Sequence, residues 1–162
     1  MLCWNINGVK QKFNNDNVVK LFDKVDLLVI METHFLKRDK CPANYEIIAK
    51  SIPSNVRRGG VAVYKKKKSN IGIKVYENVY PDIVVFSIVD TNTVFITPYV
   101  TPNNSKYKDT DIFSIIHKVI INFKDYRIVL IGDLNSRCGD IIRENHTYSR
   151  NPDRGTMVMV VS

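Results

Sequence analysis

The sequence predicts a layered α/β domain, and three observations lead there. Short apolar runs rich in β-branched residues recur at 27–31, 61–64, 83–89, 94–99 and 128–131. Each has the length of a strand and little polar alternation, the pattern of a strand covered on both faces. Between the last two, Ile112, Ile115, Ile116, Val119, Ile120 and Phe123 repeat at the spacing of one helical face. Finally, strand runs end on acids or amides: Asn5 and Asn7, then Glu32, then Asp133 and Asn135. Strand ends at one edge of a layered domain line a common crevice, so these polar ends form the candidate site.

At 162 residues and 18.6 kDa the chain is expected to be one domain, 1–162, large enough to bury a core. Its apolar runs are too short to cross a bilayer as helices. The amino terminus carries Trp4, Asn5 and Asn7 where a secretory signal needs an unbroken apolar stretch, so no targeting segment is expected. Cys3, Cys41 and Cys138 are odd in number and lack metal-ligand spacing, which fits free thiols in a reducing compartment and no zinc site. The formal charge is +8. A basic surface of this size suits nucleic acid and a merely solvated lysine-rich exterior equally well.

In chain order, residues 2–6 read as the first strand and Asn7-Gly8 as a turn. The Asn- and Asp-rich stretch 14–17 offers helix-capping side chains ahead of Val18, Leu21 and Phe22. Residues 27–31 form the second strand, ending at Glu32, Thr33 and His34, and 35–44 form a surface loop containing Pro42. A strand at 45–50 follows. Arg57, Arg58, Gly59 and Gly60 make a basic turn before the strand 61–64, and Lys65 to Lys68 extend the positive run. A solvated turn is the plainer reading of that run, with phosphate contact by Arg57, Arg58, Lys65 and Lys66 the functional one. Residues 71–76, 83–89 and 94–99 read as antiparallel neighbours joined by Pro81-Asp82 and by 90–93. The helix at 111–123 should be capped by Asp109 or Thr110, with His117 a core or boundary residue. The run 128–131, the central strand, leads through Gly132 to Asp133 and Asn135. Residues two apart on an extended chain face the same way, so the two can share a cleft; taken alone, the pair equally suits an Asx turn. The stretch 137–154 is polar, with His146 a loop histidine, and an apolar patch at 157–161 closes the sequence.

Gathered at one edge, such groups can hydrolyse a phosphodiester. One carboxylate can hold a hard divalent cation, a second can orient or deprotonate water, and amides and a tyrosine hydroxyl can clamp the phosphate. At this point the sequence resembles the endonuclease/exonuclease/phosphatase superfamily, which includes DNase I, the apurinic endonucleases and LINE-type retrotransposon endonucleases. The resemblance rests on Trp4-Asn5-Ile6-Asn7-Gly8, Glu32-Thr33-His34, Tyr99 ahead of Pro102-Asn103, and Gly132-Asp133-Leu134-Asn135, in that order. Asn7, the Arg58-Gly59-Gly60-Val61-Ala62-Val63 turn and the ending from Asp133 to Asp140 look like the non-LTR retrotransposon branch.

The resemblance implies a DNase I-like two-sheet sandwich with flanking helices and a DNA-nicking activity dependent on Mg²⁺ or Mn²⁺. Glu32 would hold the metal with support from Asn5 and Asn7. Asp133 would orient the water, and Tyr99 and Asn135 would contact the scissile phosphate. DNA would be the partner, a reverse transcriptase domain would accompany the full-length ancestor, and the nucleus would be the location. The family also closes its site with a Ser-Asp-His segment, and no histidine here follows an aspartate. The expectation is therefore a domain with its C-terminal part missing, which binds DNA better than it cuts. The spacing from Tyr99 to Asn103 is one residue longer than in apurinic enzymes, so Asn103 inherits no role. Two alternatives stand beside the nuclease: a catalytically dead remnant that binds nucleic acid without cutting, and a phosphatase acting on an inositol phosphate or lipid head group.

Overall fold

The apolar runs become strands whose alternate residues face opposite layers, and both faces are covered. A computed structural model describes residues 1–34, 41–51, 59–102, 111–135, 148–150 and 156–161, with backbone alone for 77–79, 148–150 and 156–161. Strands β1 (Leu2–Asn5), β2 (Leu27–Met31), β3 (Tyr45–Lys50) and β4 (Val61–Lys66) form one sheet in the order β1-β2-β4-β3. Strands β5 (Ile73–Tyr80), β6 (Ile83–Ile88), β7 (Thr93–Pro98), β8 (Arg127–Asp133), β9 (Tyr148–Arg150) and β10 (Thr156–Val161) form the other, in the order β5-β6-β7-β8-β10-β9. Helices α1 (Val9–Lys12) and α2 (Asp16–Phe22) connect the parallel pair β1 and β2. Helix α3 (Ile112–Asn122) does the same for the parallel pair β7 and β8.

Strand periodicity sorts the side chains into three cores. Val29, Met31, Val61 and Val63 of the first sheet meet Val84, Phe86, Phe95 and Ile131 of the second between the sheets. The intervening residues, Leu28, Ile30, Ala62 and Tyr64, pack outward against Val9, Phe13 and Phe22. On the far side Val85, Val94, Ile96, Ile128 and Leu130 receive Ile116 and Val119 of α3. The result is four layers, helix, sheet, sheet, helix. Phe86 stacks on Phe95 with centroids 5.0 Å apart, adding about 0.5–1.5 kcal/mol to their burial.

Local chemistry explains the ends of α2 and the start of α3. Asn15 caps α2 by accepting from the N–H groups of Asn17 and Val18. The Tyr45 hydroxyl donates to the carbonyl of Phe22 at 2.6 Å and also to that of Val25, pinning the chain where α2 ends. Asp111 itself, rather than Asp109 or Thr110, caps α3 by accepting from Ser114 N–H at 3.3 Å. His117 is exposed on α3 and not in the core or at its boundary.

The tertiary fold overrides the sequence reading in four places. Helix α1 is a single turn with no cap, and it exists because Val9 and the following Phe13 are buried. Strand β4 runs on through Lys65 and Lys66, which pair with Glu46 and Tyr45 of β3. Strand β5 starts at Ile73 and extends to Tyr80. The apolar patch at 157–161 is β10, antiparallel to β8, with β9 beside it in the stretch read only as polar. Strand β8 thereby has neighbours on both sides, and the first sheet ends on β1. Cys138, His146, Asn103, Arg57 and Arg58 lie outside the described residues.

Gly132 lies within β8, and its role is close approach. A β-carbon there would sit 2.1 Å from the Pro98 carbonyl oxygen. Backbone must move to admit one, so Gly132→Ala should cost about 1–3 kcal/mol. Urea unfolding should show this as a lower midpoint with an unchanged slope.

Candidate active site

Strand polarity brings the polar ends together. The carboxyl ends of β1, β2, β7 and β8 and the amino ends of β4 and β6 lie on one edge of the sandwich, as the pairings Asn5 with Met31, Met31 with Val61, Ile83 with Pro98 and Tyr99 with Asp133 require. Asn5, Asn7, Glu32, Tyr99, Asp133 and Asn135 all stand there. Lys65 and Lys66 do not: they are at the other end of β4, where Lys65 pairs with Glu46 at 3.6 Å and Lys66 Nζ donates to the Asp23 carbonyl at 2.7 Å.

Two side-chain pairs define the edge. Asn5 Nδ2 donates to Asp133 Oδ2 at 2.7 Å, joining the first sheet to the second. The Tyr99 hydroxyl, from the second sheet, donates to Glu32 Oε1 in the first. Asp133, 2% exposed, also accepts from the N–H of Asn135 at 3.0 Å through Oδ1. The Asx turn considered from sequence is therefore present, and the same carboxylate also joins the two sheets through Asn5. Asn5 is fixed from the other side, its Oδ1 accepting the N–H of Asn7 at 3.1 Å.

Asn135 reaches this edge for a different reason than strand alternation. Its φ of 42° breaks the extended chain, and its Nδ2 donates to the Val100 carbonyl at 2.7 Å. The Val100 N–H in turn donates to the Asp133 carbonyl at 2.8 Å, so the ends of β7 and β8 are laced together beyond Gly132. Glu32 is also left-handed, at φ 52°, as are Asn7 at 50° and His34 at 51°. Buried Thr33 between Glu32 and His34 donates its N–H to Gly60 O, and His34 donates its own to Gly59 O, both at 3.2 Å. A β-carbon on Gly8, which is at φ 90°, would lie 3.2 Å from His34 Nδ1, so the imidazole packs on the Gly8 backbone.

The electrostatics follow from burial beside like charge. Burial raises the Asp133 carboxyl above its ordinary value; the bonds from Asn5 and Asn135 oppose this, and the Glu32 charge adds to it. Both carboxylates stand at this edge, each tied to the opposite sheet, Asp133 by Asn5 and Glu32 by Tyr99. Burial and then the bond to Glu32 push the Tyr99 hydroxyl above the phenol range, so it remains a proton donor. Cys3, pushed up to about 12 by burial and by the Asp133 charge, is no nucleophile at neutral pH. The pairing of Asn5 with Asp133 leaves no signal in the sequence, because neither residue's neighbours encode a contact across 128 positions. Asp82, buried at the same edge, reads in the sequence only as a turn residue.

No family model matches the sequence, and no curated protein sequence matches it. Solved structures do. The chain is similar to a variant of the 3′ phosphatase NExo from Neisseria bound to product DNA hairpin, with TM-score 0.59 and 17% identity over 86% of this chain and 59% of that one. It is similar also to an AP endonuclease from Archaeoglobus fulgidus, with TM-score 0.60 and 17% identity over the same shares, 86% and 59%. The chain thus spans less than two thirds of the length of either. At this identity the likeness establishes the fold, a DNase I-like two-sheet α/β sandwich with flanking helices.

The Asp133 shift carries a measurable sign. Folding favours the protonated carboxyl when the folded group titrates above its unfolded value, so that stabilisation is whole at low pH and is lost as pH climbs through the folded value. In metal-free buffer, the thermal midpoint of Asp133→Asn minus that of the wild type should increase from about pH 4 to about pH 7. A difference flat across that range would contradict the shift.

Proposed function

We propose that the chain hydrolyses phosphodiester bonds in DNA with a divalent cation, as a nicking endonuclease of non-LTR retrotransposon type. The observation that carries this reading is the meeting of the Glu32–Tyr99 and Asn5–Asp133 pairs at one edge, one carboxylate from each sheet. The turn-forming Asn5-Ile6-Asn7-Gly8 and the Arg58-Gly59-Gly60 stretch support the retrotransposon branch and, with it, a nuclear location and a polymerase partner.

The donor set fits a loosely held hard cation. Among the described residues Glu32 Oε1 accepts from Tyr99, and no hydrogen bond engages Oε2. No group of three or more His, Cys, Asp or Glu side chains stands ready to chelate, again among the described residues. Such an oxygen-poor cage suits Mg²⁺ or Mn²⁺ that keeps most of its water, and does not suit zinc. When bound, the ion would supply positive charge against the phosphate and the departing oxygen.

The chain's own groups account for the rest. Asp133, with its raised proton affinity, takes the proton of the attacking water. Asn5 holds that carboxylate in one orientation, and Asn7 supports Asn5 through its N–H. Tyr99 keeps Glu32 in place as a neutral donor and would meet a phosphate oxygen, and Asn135 fixes the turn carrying Asp133. Arg57, Arg58, Lys65 and Lys66 would add sequence-independent attraction to DNA, with Lys65 and Lys66 acting away from the cleft.

A second reading, a protein that binds nucleic acid without cutting it, has one observation behind it: none of the three histidines follows an aspartate. A missing general acid or base lowers the rate by roughly 10²- to 10⁴-fold. Nicking of supercoiled plasmid with Mg²⁺ or Mn²⁺ should therefore be slow, and should vanish in Asp133→Ala run alongside. Plasmid left intact by the wild type while salt-sensitive DNA binding persists would select the second reading. Calorimetry with Mn²⁺ should give weak binding that disappears in Glu32→Ala, and equal heats from both proteins would remove Glu32 from the metal site.

A further inference from the structure

Asp82 sits in the turn between β5 and β6, 2% exposed, with φ of 56°. A buried carboxylate on a left-handed residue incurs desolvation and backbone costs together, and it persists where its surroundings hold it there. Its Oδ1 accepts the N–H of Gly60 at 2.6 Å. The Gly59-Gly60 turn wraps it closely: both glycines are left-handed, at φ 81° and 85°, and a β-carbon on Gly59 would lie 2.7 Å from Asp82 Oδ1. No other residue type fits the Gly59 position without displacing the carboxylate.

The same residue reaches the Tyr99–Glu32 pair from both directions. Its carbonyl accepts the Tyr99 N–H at 2.8 Å. Through Gly60, whose carbonyl accepts the Thr33 N–H at 3.2 Å, its side chain governs the backbone immediately after Glu32. The Tyr99 hydroxyl then closes a ring onto Glu32. Asp82 belongs to one sheet, the glycine turn and Glu32 to the other. The geometry points to Asp82 as a positioning residue that sets the Glu32 carboxylate against Asp133 by clamping the Gly59-Gly60 turn. This rests on the phosphodiesterase reading for its purpose, and not for its geometry.

The clamp needs an acceptor at Oδ1 and a residue that tolerates the left-handed region, and asparagine supplies both. Glycine supplies the conformation alone. The test compares the ¹⁵N-labelled full chain with Asp82→Asn and Asp82→Gly, reading amide hydrogen exchange, Mn²⁺ affinity from water-proton relaxation, and plasmid nicking. In Asp82→Gly, protection at Thr33 and His34 should fall by about 10-fold or more while Val29 and Val63 in the core are unchanged. Mn²⁺ affinity should fall by about 10-fold to 100-fold, the usual effect of losing a group that orients a ligand. Nicking should lose kcat with KM for DNA unchanged. Asp82→Asn should keep the Thr33 and His34 protection and bind Mn²⁺ within about 3-fold of wild type, since the acceptor that orients the turn survives.

Full protection at Thr33 and His34 in the glycine variant would overturn the inference. So would an asparagine variant that loses as much as glycine, because the charge and not the acceptor would then be at work. A glycine variant that failed to fold would also count against it, since the carboxylate would then hold the sandwich and not the site. If the wild type neither binds Mn²⁺ nor nicks, the phosphodiesterase reading falls, and the exchange measurements alone still decide the place of Asp82.

Discussion

The hydrogen bond from Asn5 to Asp133 is the constraint on which the site depends. Asp133 is buried, and a buried carboxylate without partners is among the costliest groups a fold can hold. Asn5 on the first sheet and the Asn135 N–H on the second relieve that cost, and in doing so they fix how the two sheets meet at this edge. Sliding one sheet by a single strand spacing would strand the carboxylate and separate Glu32 from Tyr99 as well. The apolar core between the sheets supplies the bulk of the stabilisation but is tolerant in register. Directional polar contacts at the edge are what select one alignment.

Strain is concentrated at the same place. Among the described residues, left-handed non-glycine conformations occur at Asn7, Glu32, His34, Asp82 and Asn135 along this edge, and at Asp90 and Asn92 in the turn at the opposite end. The Asn and Asp positions tolerate it through their short polar side chains. Glu32 and His34 do not have that latitude, and each costs on the order of 1 kcal/mol. The glycine turn at 59–60 holds both by accepting from Thr33 and His34. Local preference is thus overruled where a carboxylate must be aimed, and satisfied through the strands that carry it.

The two acids at the edge also sit in unlike surroundings. Glu32 accepts from the Tyr99 hydroxyl, while Asp133 is held by amides and raised first by its burial and then by the Glu32 charge. Two carboxylates in unlike surroundings can take unlike roles, one toward a cation and one toward a proton. The lysines of β4, by contrast, pair with Glu46 and bond the Asp23 carbonyl at the end of α2, and Lys67 beyond the strand bonds the Ala43 carbonyl, so part of the basic excess serves the scaffold.

Sequence alone determined the strands 27–31 and 45–50 to the residue, because burial on both faces or a clean break on either side leaves no competing period. It determined the helix over Ile116 and Val119, and it grouped Asn5, Asn7, Glu32, Asp133 and Asn135, because acids and amides at strand ends converge in a layered fold; Tyr99 joined them only through the family resemblance. Only the tertiary structure decided which of them touch. The Asn5–Asp133 and Tyr99–Glu32 contacts join opposite sheets, and no local pattern encodes a distance between sheets. Helix α1 and the pairing of β10 with β8 were likewise illegible, since a single turn and a short apolar patch acquire their form from the surface they cover. Asp82 is the sharpest case: a turn residue by every local rule, it lies under the Gly59-Gly60 turn because the two sheets close over it, and that closure is a property of packing.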